Sequence, residues 1–120
     1  MARSFLESTF LTACPTFRPS WDALRRSYEP GTEPDASTFL GALCVHVVGL
    51  ASVGRVAEFS RFAQTLDWLL SEADPILEEL LTAELVEPLA RAVREKELPP
   101  LLIEPHLGAR TRAALRRSNG

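Results

Sequence analysis

The sequence predicts an all-α single domain, and three observations carry the prediction. Between residues 55 and 71 the apolar side chains Val56, Phe59, Phe62, Ala63, Leu66, Leu69 and Leu70 recur at three- and four-residue spacing, with Arg55, Glu58, Arg61, Gln64, Thr65 and Asp67 in the gaps. One buried face and one wet face at that period mark an amphipathic helix. Asp74-Pro75 joins a favoured N-cap to a proline at the first helical position, where the missing N–H has no intrahelical partner to lose. The chain of 120 residues is 46% hydrophobic, enough for one core and too short for two of ordinary size.

The elements follow in order. A first helix is expected over 3–13, stopped by Pro15, and a second from about Pro19 through Trp21 and Leu24 to Tyr28. Residues 29–35 hold two prolines, a glycine and no apolar side chain, the composition of a flexible interior loop. Asp35 or Ser37 caps a third helix over 36–51. Its valine-rich centre, 44–48, also suits a strand, but the length of the apolar run favours helix. Gly41 and Gly49 lie two turns apart on one of its faces, which suggests a close neighbour there. After Gly54 comes the 55–71 helix, and after Pro75 a fifth helix to about Glu84. Pro88 predicts a kink or restart near Val86. A sixth helix carries Leu89, Ala90 and Val93 to about Lys96, and Pro99-Pro100 ends it. A short turn over 101–104, a last short helix over 107–117 and a disordered tail at 118–120 complete the chain. The architecture expected is an irregular bundle or short helical stack of about six helices in one domain spanning 1–120.

Composition narrows the function. The net charge is −3 and the sequence pI about 5.4, so generic nucleic-acid binding is disfavoured. Cys14 and Cys44 lack metal-ligand spacing, and so do His46 and His106. Two cysteines in a chain with this much core point to a reducing, cytoplasmic compartment. The tetrapeptide Leu11-Thr12-Ala13-Cys14 matches the pattern before a lipoprotein cysteine, but Glu7, Ser8 and Thr9 interrupt the apolar stretch such a signal needs. The apolar run 39–53 is shorter than a membrane span. No phosphate loop, serine elbow, zinc-protease motif or helical di-metal pattern is present, so no catalytic residue, metal or cofactor is assigned. His46, among valines, reads as a core histidine bonded to a backbone carbonyl.

Charge layout carries more information. Six acids and no base lie between residues 72 and 87, and four arginines and no acid between 106 and 117. Glu78, Glu79, Glu84 and Glu87 could steer a basic partner protein. Solvation and the helix dipole account for much of the same cluster. Trp68 departs from the apolar stripe of its helix and is either covered by a neighbouring helix or an exposed partner-binding anchor. Arg110, Arg112, Arg116 and Arg117 are the alternative, phosphate-contacting set.

The segments Phe5-Leu6 through Ala13-Cys14-Pro15 with Phe17 and Trp21, the apolar helix around Phe39 and Leu43, Phe59 through Leu66 to Leu70, Glu84-Leu85-Val86-Glu87-Pro88-Leu89, and Leu107-Gly108 with Arg110 and Arg112 together resemble a family of small uncharacterised bacterial helical proteins. Some members of that family sit near polymorphic-toxin and immunity loci. The chain departs from it at Pro88, where the family usually carries a polar helix former. The resemblance implies an all-α fold and, by association, an immunity-like or antidote role in which a helical surface occludes a partner protein such as a basic toxin. The alternatives are a nucleic-acid-associated regulator using the C-terminal arginines and an enzyme with an unrecognised site.

Overall fold

Helix α4 (Val56–Glu72) is the axle of the molecule. The computed structural model describes residues 3–119, which contain helices and turns and no strand. Along α4 the side chains of Phe59, Phe62, Ala63, Leu66 and Leu69 are fully buried, as the helical period requires. Its neighbours are α1 (Arg3–Ala13), α3 (Ala36–Ser52), α5 (Pro75–Leu81), α7 (Pro100–Ile103) and α8 (Ala109–Asn119). The fold is an irregular all-α globule with one continuous core.

Each end of a helix has a local cause. α1 stops at Cys14 because Pro15 follows. The chain turns through a short 3₁₀ segment (Pro15–Phe17) into α2 (Arg18–Arg26). One large side chain, Trp21, anchors α2. It meets Phe39 of α3 edge-on at 4.8 Å between ring centroids, and Phe17 at 6.4 Å. Between α2 and α3 the loop makes a turn, in which the Thr32 N–H donates to the Glu29 carbonyl at 3.0 Å. Pro34 is buried and Arg25 pairs with Glu33 at 3.0 Å, so both contacts hold the end of the segment that leads into α3. Asp35, rather than Ser37, caps α3 by accepting the Thr38 N–H at 2.8 Å. Residues 44–48 are helical, so the strand alternative fails: the sequence-local preference of valine yields to burial of Leu43, Cys44 and Val47 on one helical face. The close-packing expectation for the two glycines fails, since a Cβ at Gly41 would make only ordinary contact, at 3.9 Å. Gly41 faces the Glu84 carboxylate, while a side chain at Gly49 would meet nothing within 4 Å.

The kink expected near Val86 takes a specific form. α5 ends at Leu81, and residues Thr82–Val86 form one π-helical turn before α6 (Glu87–Arg94). The Glu87 N–H reaches back five residues to the Thr82 carbonyl. Pro88 supplies the reason: it has no N–H to donate, and its ring would collide with a carbonyl one α-turn earlier. Widening the turn relieves that collision while Leu85, Val86 and Leu89 all stay buried. α6 closes at Arg94, earlier than expected, in a Schellman arrangement. Lys96 takes the left-handed conformation (φ 61°), and the Glu97 N–H donates to the Ala92 carbonyl at 2.9 Å. A turn over Glu104–His106 links α7 to α8. α8 includes Ser118 and Asn119, which the sequence places in a disordered tail; Gly120 lies outside the described residues.

Candidate protein-interaction surface

The acidic surface begins at a helix cap. The Asp74 carboxylate accepts the Leu77 N–H at 2.8 Å, which starts α5 at Pro75. α5 buries Leu77 and Leu81, and that choice of inner face turns Glu78 and Glu79 to solvent. The π turn then sets the register so that Glu87 returns to the same side. Glu78, Glu79 and Glu87 border one open groove of about 490 Å³ with Pro75, Thr82 and Ala83. Among the described residues none of the three carboxylates takes part in a hydrogen bond or an ion pair. Next to them Ile76 is 82% exposed, so the surface offers apolar as well as charged area.

Glu84 leaves this group. Its carboxylate accepts the Ser37 hydroxyl at 2.6 Å and lies 3.9 Å from where a Cβ on Gly41 would be. It ties the π turn to the first turn of α3, and the groove does not include it.

Trp68 lies on a different surface. It is 47% exposed and meets Phe5 of α1, itself 46% exposed, at 6.5 Å between ring centroids. The two rings flank a shallow groove of about 540 Å³ between α1 and α4, with Thr9, Thr12, Arg61 and Gln64 along it. α1 therefore covers the indole only in part. The arginines divide similarly. Arg110, Arg116 and Arg117 are exposed on α8. Arg112 is committed to the fold: its Nε donates to the Leu107 carbonyl at 3.0 Å and its Nη2 to the Glu104 carbonyl at 2.6 Å.

Sequence reasoning missed a polar cluster at the junction of α1, α3 and α4. Glu58 is only 8% exposed. Its carboxylate accepts both the backbone N–H of Thr16, at 3.0 Å, and the Thr16 hydroxyl, at 2.7 Å. That hydroxyl has one proton, and it points at Glu58. The 2.9 Å contact with His46 Nε2 therefore has the ring nitrogen donating and the hydroxyl accepting. His46 is thus bonded to a side chain, not to the backbone carbonyl expected of it, and it is partly exposed. Desolvation lowers its pKa; Glu58 opposes that shift and Arg55 adds to it. The cluster ties the turn after α1, through Thr16, to the consecutive helices α3 and α4, whose His46 and Glu58 lie 30 and 42 positions further on. Glu58 occupies a gap in the apolar stripe, which is why it reads as a surface residue; its partner lies 42 positions away.

Cys14 and Cys44 are free and buried. Among the described residues no three His, Cys, Asp or Glu side chains group to hold a metal ion, and no helix is long and apolar enough to cross a membrane.

A domain of unknown function, DUF7674, matches residues 8–119, nearly the whole chain. The chain belongs to this family. Its match begins inside α1 and ends in α8, so the domain takes in the acidic groove, the buried Glu58 cluster and the α8 arginines together. Among curated proteins and among solved structures none matches the chain.

Proposed function

We propose that this DUF7674 domain is a protein-binding helical module, an immunity-like or antidote protein of a bacterial cytoplasm that works by covering its partner. The observation that carries this reading is the set of three unpaired carboxylates, Glu78, Glu79 and Glu87, around one groove. Exposed like charges on a rigid helix create a potential that speeds encounter with a basic surface. The Phe5–Trp68 pair supports the same reading as a second contact, because half-buried aromatics combine large apolar area with little side-chain freedom to lose. Both surfaces sit on well-packed helices, so binding requires little ordering of the chain.

The test begins with recovery of the partner from the native host. Association should then slow as salt rises, since exposed charges are screened beyond about 8 Å at physiological ionic strength. Reversing Glu79 and Glu87 together to lysine should weaken binding without changing the helical spectrum, and Trp68→Ala should speed dissociation. Neutralising Arg110 and Arg116 should matter much less. The exposed arginines of α8 favour the second reading, a nucleic-acid-associated regulator. That reading requires the opposite ranking and a steep salt dependence on generic DNA.

A further inference from the structure

A pocket of about 310 Å³ opens between α6, α7 and α8, away from both surfaces described above. Val93, Ile103, Leu107 and Leu115 form its apolar walls, and Arg112 and Arg116 line it as well. Ile103, Leu107 and Leu115 are buried while both arginines are exposed, so the guanidiniums stand at the mouth and the hydrocarbon at the floor. Glu104 is the one acid among the lining residues; two guanidiniums against one carboxylate leave the mouth with an excess of one positive charge.

The arginines differ usefully. Arg112 is fixed by its bonds to the Leu107 and Glu104 carbonyls, so its charge is held at the mouth before any ligand arrives. Arg116 follows one turn later on α8 and makes no hydrogen bond or ion pair among the described residues. A pre-positioned cation beside a free one, above an apolar floor, suits a ligand with a single anionic end and a hydrocarbon body.

We propose that this pocket binds a small apolar carboxylic acid as its anion, with the hydrocarbon between Val93, Ile103, Leu107 and Leu115 and the carboxylate against Arg112 and Arg116. Octanoate, 1-octanol and octylammonium are probes of matched length. They are titrated into the full chain, and the methyl resonances of Val93, Ile103, Leu107 and Leu115 are followed by NMR. The expected result is saturable binding of octanoate at those methyls, about tenfold tighter than octanol, with octylammonium weakest. Arg116→Gln, a change at an exposed residue, should remove most of octanoate's advantage and leave octanol unchanged. Leu115→Trp should fill the floor and abolish binding of both. Equal affinity for octanoate and octanol, shifts spread over other methyls, or an Arg116→Gln protein that binds octanoate as before would each overturn the proposal.

Discussion

Asp67 of α4 caps α8 from across the core: its Oδ1 accepts both the backbone N–H of Thr111, at 2.9 Å, and the Thr111 hydroxyl, at 3.2 Å. A cap is normally supplied by the residue that starts the helix. Here that position is Gly108, and a Cβ on Gly108 would overlap the Asp67 carboxyl group. The glycine makes room for a carboxylate from another helix, and that carboxylate satisfies a donor at a helix end while complementing the helix dipole. Thr111 is fully buried, while Asp67 is partly exposed.

This pairing makes a coupled prediction. Asp67→Ala should cost about 1 kcal/mol, as for loss of an N-cap, and Asp67→Asn should recover much of that through its amide oxygen. Gly108→Ala should be worse, because the carboxyl group must move. In the Asp67→Ala background the same glycine change should be better tolerated, giving a coupling energy of about 0.5–3 kcal/mol in a double-mutant cycle followed by urea unfolding. Strictly additive effects would show that the two residues do not compete for the same space.

Lys96 holds a left-handed conformation, with φ 61°, at the position where helices usually end on glycine. Lys96→Gly should raise stability by a few tenths to about 1 kcal/mol. Relief of a backbone cost of about 1–2 kcal/mol is partly offset by the larger freedom of glycine in the unfolded chain. A lower urea midpoint in the variant would contradict this.

Acid should weaken the junction of α1, α3 and α4. Desolvation lowers the pKa of His46 below the ordinary 6.5, so the unfolded chain binds a proton more readily than the folded one. Stability from this group is therefore complete above the unfolded value and declines as pH falls through 6.5 toward the folded value. His46→Gln keeps a donor for Thr16 but cannot titrate. The melting point of the wild type relative to that of the variant should fall between pH 7.5 and 5.5. A constant difference would mean that His46 has the same pKa folded and unfolded.

Burial pushes the thiols of Cys14 and Cys44 up to about 12. Because the thiolate is the nucleophile, both should resist iodoacetamide at pH 8 in the folded protein and react once urea unfolds it. Fast labelling of either cysteine in native buffer would reveal an opening motion that exposes it.

What the sequence made legible was local. Pro15 ended α1, Asp35 capped α3, Asp74-Pro75 began α5, and the apolar spacing of α4 named its buried face, because each signal lies within a few residues of its effect. What stayed hidden was long-range. Asp67 reads as a solvent-facing gap residue because Thr111, the group it caps, is 44 positions away. Glu58 and Glu84 were hidden in the same way. Their carboxylates sit on helix positions that an amphipathic pattern assigns to water, and only the approach of Thr16 and Ser37 from other helices gives them partners. Pro88 shows the intermediate case. It announces a disturbed helix without revealing that the disturbance is a widened turn rather than a break.

That widened turn has a covalent meaning. Deleting a residue inside an ordinary α-helix rotates everything beyond it by about 100° and turns buried side chains outward. Between residues 82 and 86 the chain already carries one residue more than an α-helix spanning the same distance would use. A chain one residue shorter there could run straight and still deliver Leu89 and Ala90 to the core, provided position 88 were no longer proline. Proline and extra residue are thus partners: removing either alone leaves a misfit, and removing both restores a plain helix. A relative one residue shorter between these positions should therefore carry a residue other than proline where this chain has Pro88.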